Sequence, residues 1–322
     1  MGRLVLRTPP RRAFAAGLTV TLALASAAAC SSNALQPAAS QANSFQTTGA
    51  VDGSTPASAD AATTAIAPSS AAPATKAAVV PAHGSGGGVW HPTPGLTWQW
   101  QLTEPVDTSI NAQVYDIDGV DNSAVVVSEL HAAGRKVICY VNAGAYENFR
   151  PDASRFPSAL LGLSDGWPGE NWLDIRQLDA LRPIMAARFK ICQQKGFDGI
   201  EADNVDGYTN DTGFPLTAAD QLAYNRMLAG LAHADGLAIG LKNDLDQVQQ
   251  LLPDFDFSID EQCAEYSECS ELEPFVKSGK AVFEAEYNVP LSEFCGQSES
   301  LGFSAILKDT ALDATRQACP TS

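Results

Sequence analysis

Four acidic residues fall within nine positions of the segment 195–208, namely Asp198, Glu201, Asp203 and Asp206. Side chains alternate along a strand, so Glu201 and Asp203 share one face of the strand that this segment predicts. Like charges raise one another's pKa, and burial disfavours the charged form, so a purely structural strand has no reason to gather acids in this way. We interpret the segment as an active site whose chemistry uses carboxyl groups.

Glycoside hydrolysis is a reaction that needs two carboxyl groups, one to protonate the leaving oxygen and one to attack the sugar or activate water. Glu261 ends another predicted strand, so Asp203 and Glu261 can face each other across a barrel mouth. Glu201 shares a strand with Asp203 and would approach a substrate from the same side. Asp203 and Glu261 are therefore the pair of carboxyl groups that the sequence favours for this chemistry.

Short apolar runs alternate with helical segments from residue 89 onward, which predicts an α/β fold of the (β/α)8 TIM barrel type. Eight runs are predicted as strands: 97–102, 113–117, 136–142, 197–203, 237–243, 255–261, 281–287 and 304–308. Three predicted helices, 122–133, 178–195 and 217–235, are each followed by the glycine that a helix C-terminus favours. The connection 103–112 is too short for a full helix, and 173–176 is expected to add a short strand.

Polar residues lie at the C-terminal ends of these strands, where active sites of this fold gather, whereas the strand starts are apolar. Aromatic rings stack on sugar rings and acids bind sugar hydroxyl or amino groups, so this rim predicts carbohydrate binding. At least one of Trp98 and Trp100 is expected to lie in the core instead. The predicted substrate-binding residues are Trp98, Trp100, Asp116, Asp118, Tyr140, Asn142, Glu201, Asn204, Asn243, Asp244 and Glu286.

The charge of the chain narrows the class of ligand. The sequence has 20 basic and 37 acidic residues, a formal net charge of −17. Five of the basic residues lie before residue 89, but only two of the acidic residues do. The predicted domain therefore has a more negative net charge than the whole chain. This charge argues against a nucleic acid partner and favours a neutral or cationic ligand. Solubility alone would account for the charge equally well.

The N-terminal segment predicts export. Four arginines precede an apolar run that closes on Cys30, so residues 1–30 are predicted as a signal peptide. Cys30 is either the lipidated first residue of a bacterial lipoprotein or a residue near an ordinary cleavage site, and both readings stay open. Residues 31–88 are rich in Ala, Ser, Thr and Pro and predict a disordered linker before the domain at 89–322. We expect a secreted or extracytoplasmic protein, membrane-anchored if Cys30 is lipidated.

Six further cysteines, an even number in an exported chain, favour disulfides. Connectivity does not follow from the sequence, and the pairs that we expect are Cys139 with Cys192, Cys263 with Cys269 and Cys295 with Cys319. The chain has no Cys-x-x-Cys or His-x-x-x-His motif, so we expect no zinc site and no cofactor.

The motifs around these residues carry a resemblance to a known family. They are WQWQ at 98–101, VYDID at 114–118, VICYVNAGAYE at 137–147, GFDGIEADNVDG at 196–207, GLKND at 240–244 and DEQC at 260–263. The sequence resembles glycoside hydrolase family 114, the endo-α-1,4-polygalactosaminidases. The resemblance implies a (β/α)8 barrel without a metal cofactor that cleaves inside partly deacetylated α-1,4-galactosamine polymers. It also implies a catalytic Asp after the fourth strand and a catalytic Glu after a later one, which correspond to Asp203 and Glu261.

Two other functions remain compatible with the sequence. A non-catalytic sugar-binding lipoprotein would keep the same aromatic and acidic rim, and a metal-dependent hydrolase would use the acids to hold a hard cation. The expected partner is a cationic, amine-bearing polysaccharide rather than nucleic acid, and we expect a monomer. The stereochemical outcome of hydrolysis is left open, because it depends on the distance between the carboxyl groups.

Overall fold

The computed structural model describes residues 88–320, so the predicted signal peptide and residues 31–87 of the predicted linker lie outside the described residues. The strands in this part are β1 Trp98–Gln101, β2 Val114–Asp118, β3 Lys136–Asn142, β4 Ala145–Glu147, β5 Glu170–Trp172, β6 Gly199–Asp203, β7 Ala238–Lys242, β8 Phe257–Glu261, β9 Val282–Glu286, β10 Ser304–Leu307 and β11 Gln317–Ala318. The α-helices are α1 Ala124–Ala132, α2 Leu178–Lys195, α3 Ala218–Ala234, α4 Val248–Leu251, α5 Glu273–Lys277 and α6 Leu291–Leu301.

Eight strands pair side by side in parallel, in the order β1-β2-β3-β6-β7-β8-β9-β10, and β11 adds to β10 in antiparallel fashion. Side chains span the seam between β10 and β1. The Trp98 indole Nε1 donates to the Ser304 carbonyl at 2.7 Å, and Arg316 donates to the Trp98 carbonyl at 2.6 Å. The sheet therefore curls into the TIM barrel that the sequence predicts.

Alternation along the strands divides the apolar residues into two layers. On β3, Ile138 belongs to the cluster inside the barrel, whereas Val137 and Cys139 belong to the cluster between the sheet and the helices. The rings of Phe257 and Phe283 lie 5.9 Å apart within the interior cluster. Because the interior is filled at this depth, a site can open only at the carboxyl ends of the strands.

The helices follow their sequence signals closely. Helix α2 has the predicted bounds and ends at Gly196, whose φ of 90° is the left-handed conformation that glycine adopts without strain. Helix α3 begins with a capping box in which Thr217 and Asp220 bond to each other's backbone N–H. The connection after β1 forms no helix, as its length predicts, and β10 leads into β11, so the described residues hold fewer helices than an ideal eightfold repeat.

An excursion between β3 and α2 covers one side of the mouth. Its strands β4 and β5 pair antiparallel, and the strand predicted at 173–176 instead lies at 170–172. Leu173 forms an isolated bridge with Leu161. At Gly144 a Cβ would lie 1.6 Å from the Asn204 carbonyl oxygen, so glycine is what allows this segment to pass the end of β6.

The three predicted disulfides are confirmed. Cys139–Cys192 joins β3 to α2, Cys263–Cys269 closes the loop after β8, and Cys295–Cys319 joins α6 to the segment after β11. Disulfides of this kind indicate an oxidising, extracytoplasmic compartment. Within residues 88–320, none of the helices combines the length and the apolar composition that crossing a bilayer requires.

Candidate active site

Lys242, at the end of β7, lies at the centre of the barrel mouth and is 2% exposed. Its ammonium donates to Glu201 Oε1 at 2.9 Å and to Asp203 Oδ1 at 3.1 Å, and it lies 3.1 Å from Glu261 Oε2. The nitrogen is also 4.7 Å from the centroid of the Trp100 ring, a cation–π contact. One buried cation therefore holds carboxylates from β6 and β8 in fixed positions.

The protonation state of this lysine follows from its neighbours. Burial lowers the pKa of Lys242, but the surrounding carboxylates, Asp203 foremost and then Glu201, outweigh burial and raise the pKa well above its ordinary value. The side chain of Lys242 is therefore a charged ammonium at neutral pH.

Asp203 receives donors on both carboxylate oxygens. The Tyr140 hydroxyl donates to Oδ2 at 2.7 Å, and Asn204 Nδ2 reaches the same oxygen at 3.4 Å. Asn204 Nδ2 also donates to Asn142 Oδ1 at 3.0 Å, which ties β3 to β6. These donors, together with Lys242, stabilise the carboxylate form that a nucleophile needs.

Glu261 is positioned by two different neighbours. The Tyr287 hydroxyl donates to its Oε1 at 2.5 Å, and its backbone N–H donates to Asn243 Oδ1 at 3.1 Å. Asp203 Oδ1 and Glu261 Oε2 both lie 3.1 Å from the nitrogen of Lys242, so these two oxygens are no more than twice that distance apart. The two predicted catalytic carboxyl groups therefore meet at the same ammonium, from the strands on either side of β7.

Asp116 and Glu201 form a second carboxyl pair inside the barrel. Burial, followed by the charge of Glu201, raises the pKa of Asp116 well above its ordinary value, which favours the protonated form of this carboxyl group. Burial also raises the pKa of Glu201. In its protonated form Asp116 would add a hydrogen-bond donor to this cluster rather than another negative charge.

Residues in the left-handed backbone region follow three successive barrel strands. Asn204, Asn243, Asp244 and Gln262 have φ angles of 61°, 53°, 46° and 67° and lie directly after β6, β7 and β8. Such conformations are costly for residues other than glycine and cluster at active sites. The turns that carry the candidate site are therefore held in a specific shape by their surroundings.

The structure places both predicted tryptophans inside the barrel. Trp98 and Trp100 are each 1% exposed and stack on one another inside the barrel, with centroids 5.9 Å apart. Both have the strand parity that points inward, and the interior at that depth is packed with apolar side chains.

Glu286 and Asp244 are also placed away from the mouth. Glu286 has the parity opposite to Phe283 on β9, so it points out of the barrel, where its Oε1 accepts from the Ala264 N–H at 2.8 Å. Asp244 accepts from Asn225 on α3 at 2.9 Å. The carboxylates of Glu286 and Asp244 therefore hold a loop and a helix in place.

Asp118 remains at the rim but is bound to an arginine. Arg150 donates to both carboxylate oxygens of Asp118, at 2.5 and 3.1 Å, and to Glu147 Oε1 at 2.9 Å. This bidentate pair ties the β4–β5 excursion to the end of β2. Asp118 thus shapes the mouth, and its charge is largely matched by the guanidinium.

Sequence reasoning did not select Lys242 or Tyr287. Both stand at strand ends beside residues that were selected, and each shares the inward parity of its strand. A lysine at the end of an otherwise apolar strand was the available signal, because a buried ammonium requires acidic partners.

One group of potential metal ligands occurs within residues 88–320. Cys263, Cys269 and Glu284 place ligand atoms close together, but the two sulfur atoms are bonded to each other. Disulfide sulfurs are not the thiolates that bind zinc.

An α/β barrel with two carboxyl groups close together at the C-terminal ends of its strands is an arrangement that glycoside hydrolases use. The model of glycoside hydrolase family GH114 matches residues 80–322, and the chain belongs to this family. This membership confirms the resemblance found in the sequence.

Solved structures and a sequence relative are similar to this chain. Ega3 of Aspergillus fumigatus, solved in complex with galactosamine, is 40% identical, with a TM-score of 0.69 over 71% of this chain and 97% of that chain. The glycoside hydrolase domain of PelA from Pseudomonas aeruginosa, 12% identical, shares the fold with a TM-score of 0.56 over 69% and 98% of the two chains. An uncharacterized protein of Deinococcus radiodurans is 29% identical over 153 residues, 42% of this chain, and the match spans about half (49%) of that relative's length.

Proposed function

We propose that the protein is an endo-acting glycoside hydrolase that cleaves α-1,4-linked, partly deacetylated galactosamine polymers. The observation that carries this proposal is the pair of Asp203 and Glu261, whose carboxylates lie 3.1 Å from one ammonium at the barrel mouth. The complex of the related Ega3 with galactosamine supports the choice of sugar. The net charge of −17 supports a substrate whose amines are protonated.

In the proposed mechanism, Asp203 attacks the anomeric carbon while Glu261 gives its proton to the departing glycosidic oxygen. The bond from carbon to that oxygen breaks as the bond to the Asp203 carboxylate forms. Water then attacks the same carbon and transfers a proton to Glu261, and the carboxylate of Asp203 departs. Tyr140 and Lys242 hold Asp203 at the required position, because they donate to different oxygens of its carboxyl group.

The geometry favours retention of configuration. Retaining glycosidases separate their carboxyl groups by about 5 Å, and inverting enzymes by roughly 6.5 to 9.5 Å to admit a water molecule. Asp203 Oδ1 and Glu261 Oε2 each lie 3.1 Å from one nitrogen, so these two oxygens are at most about 6.2 Å apart, just under the inverting range. A direct attack by Asp203 fits this spacing better than attack through a water molecule.

The proposal is tested by product analysis after incubating the purified protein with partly deacetylated α-1,4-galactosaminogalactan. Short oligosaccharides are expected from the wild type and none from Asp203→Asn or Glu261→Gln, each of which should remain folded by circular dichroism. Unchanged activity in a chelator is expected, since the mechanism needs no metal. Polymer binding by the wild type without any product would contradict the proposal and favour a binding protein.

We also propose that residues 1–30 direct export, that Cys30 carries a lipid, and that the domain acts as a monomer. A cysteine after a run of small residues supports lipidation. Incorporation of labelled palmitate by the wild type and its loss in Cys30→Ala are expected. Unlabelled wild-type protein in the culture medium would contradict lipidation.

A further inference from the structure

A cavity of about 690 Å³ opens beside the candidate catalytic pair, between the end of β2, the β4–β5 excursion and the loop at Thr310. Its volume lies within the range of small-molecule sites, about 300 to 1,000 Å³. The proposed catalytic roles leave this space unused, although Tyr140 forms part of its wall.

One wall of the cavity contacts the catalytic machinery. The hydroxyl of Tyr140 donates to Asp203 at 2.7 Å. The Tyr140 side chain therefore lies between the cavity and the proposed nucleophile. On another wall, Glu170 accepts from Asn142 at 3.3 Å, and Asn142 accepts in turn from Asn204. A polymer whose reacting unit contacts Asp203 would therefore extend its neighbouring units into this space.

An aromatic surface lines the cavity at the level of the excursion. Phe149 is 58% exposed, which is unusual for a large apolar side chain, and Trp167 lies half-buried on the lining as well. The Arg150 guanidinium lies 5.5 Å from the centroid of the Phe149 ring and is itself fixed by Asp118 and Glu147. The Phe149 ring is therefore exposed to solvent and packs against an arginine whose position is fixed by two carboxylates.

The charge of the lining suits an amine. Four carboxylates, from Asp118, Asp121, Glu147 and Glu170, accompany the single guanidinium of Arg150. Asp121 lies at the outer edge, with its side chain 58% exposed and an oxygen 3.6 Å from Arg150. The excess of negative charge would attract a protonated amino sugar over a neutral one.

Resting on the proposed function, we infer that this cavity is a subsite for a non-reacting amino-sugar unit of the same polymer. The apolar face of the sugar packs against Phe149 and Trp167, and its ammonium faces the carboxylates that include Asp121. The β4–β5 excursion is then the specificity element that selects deacetylated units next to the cleaved bond.

Binding to an inactive parent tests the subsite independently of turnover. In the Glu261→Gln protein, the Kd for an α-1,4-galactosamine hexasaccharide is measured by calorimetry. Adding Phe149→Ala is expected to weaken binding about tenfold, the scale of one lost aromatic contact. Phe149→Tyr, which keeps the ring, and Val125→Ala, an exposed apolar residue on α1, are expected to leave the Kd unchanged.

Charge selectivity is tested in the same background with Asp121→Asn. Binding of the galactosamine hexasaccharide is expected to weaken about threefold, as for an exposed charge pair, with no change for the fully N-acetylated hexasaccharide. Equal Kd values for the parent and Phe149→Ala would overturn the subsite even if the wild type hydrolyses the polymer. Binding that depends on Phe149 without hydrolysis by the wild type would overturn the proposed function and leave the subsite standing.

Discussion

The ammonium of Lys242 touches both proposed catalytic residues, and its contribution is electrostatic. It stabilises the ionised form of Asp203 at a contact of 3.1 Å in a site from which water is largely excluded. Glu201 takes part in the same cluster, and the raised pKa of its own partner Asp116 favours the protonated form of that carboxyl group. The electrostatics of the mouth are thus set by the carboxyl groups of Glu201, Asp203 and Glu261 around one cation.

Replacing Lys242 with Met should shift the activity profile along the pH axis. Loss of the positive charge disfavours the carboxylate form of Asp203, so the acid limb of kcat/KM is expected to move to higher pH, and kcat is expected to fall. The check is a pH–rate profile beside Lys136→Met, whose ammonium pairs with Asp198 at the opposite end of the barrel. An acid limb at the wild-type position would show that Lys242 does not act on the nucleophile.

At the scale of single residues, the sequence predicts which acids lie at strand ends. It does not always predict whether their side chains point into the barrel mouth. Glu261 and Glu286 both end strands, yet only Glu261 points into the mouth. On β9 both Val282 and Phe283 are apolar, because each face of a barrel strand is buried, so the sequence does not reveal which parity is internal. Tyr287, which follows the internal parity, is the residue of this segment that reaches the catalytic pair.

Elements with strong local signals could be predicted to within a residue or two. Helix α2 is delimited by Gly196, and α3 by the Thr217 cap, because these residues satisfy backbone groups locally. The pairing of β4 with β5 could not be predicted, since each strand has three residues and its partner lies more than twenty positions away. The subsite proposed above depends on that excursion.

The disulfides should differ in how much they contribute to the free energy of unfolding. Cys139–Cys192 spans 53 residues and Cys263–Cys269 spans 6, so the longer loop restricts the unfolded chain more. Replacing each pair by alanines is expected to lower the free energy of unfolding by about 4 and about 2 kcal/mol respectively. Denaturant titration measures both, and a larger loss from the shorter loop would contradict this explanation.

For the molecule as a whole, a buried acid on β9 makes the free energy of unfolding depend on pH. Burial raises the pKa of Glu284 to about 8, from 4.5 for an ordinary glutamate. The folded state therefore holds a proton that the unfolded chain has lost, and the free energy of unfolding falls as the pH rises from about 4.5 to about 8.

The variant Glu284→Gln, which mimics the protonated form, should flatten this dependence. Its melting temperature is expected to fall less between pH 5 and pH 8 than that of the wild type, and Glu293→Gln, an exposed position on α6, should behave as the wild type does. An unchanged slope in Glu284→Gln would mean that this carboxyl group does not hold the proton.

The central claim is that Asp203 and Glu261 act together as nucleophile and acid across the barrel mouth. The most direct measurement is ¹H NMR of the first sugar ends released from an α-1,4-galactosamine polymer, recorded before the anomers equilibrate. The short separation of the two carboxyl groups predicts that the α-anomer appears first and that Asp203→Asn releases neither anomer. Initial release of the β-anomer, or continued release by Asp203→Asn, would contradict the assignment.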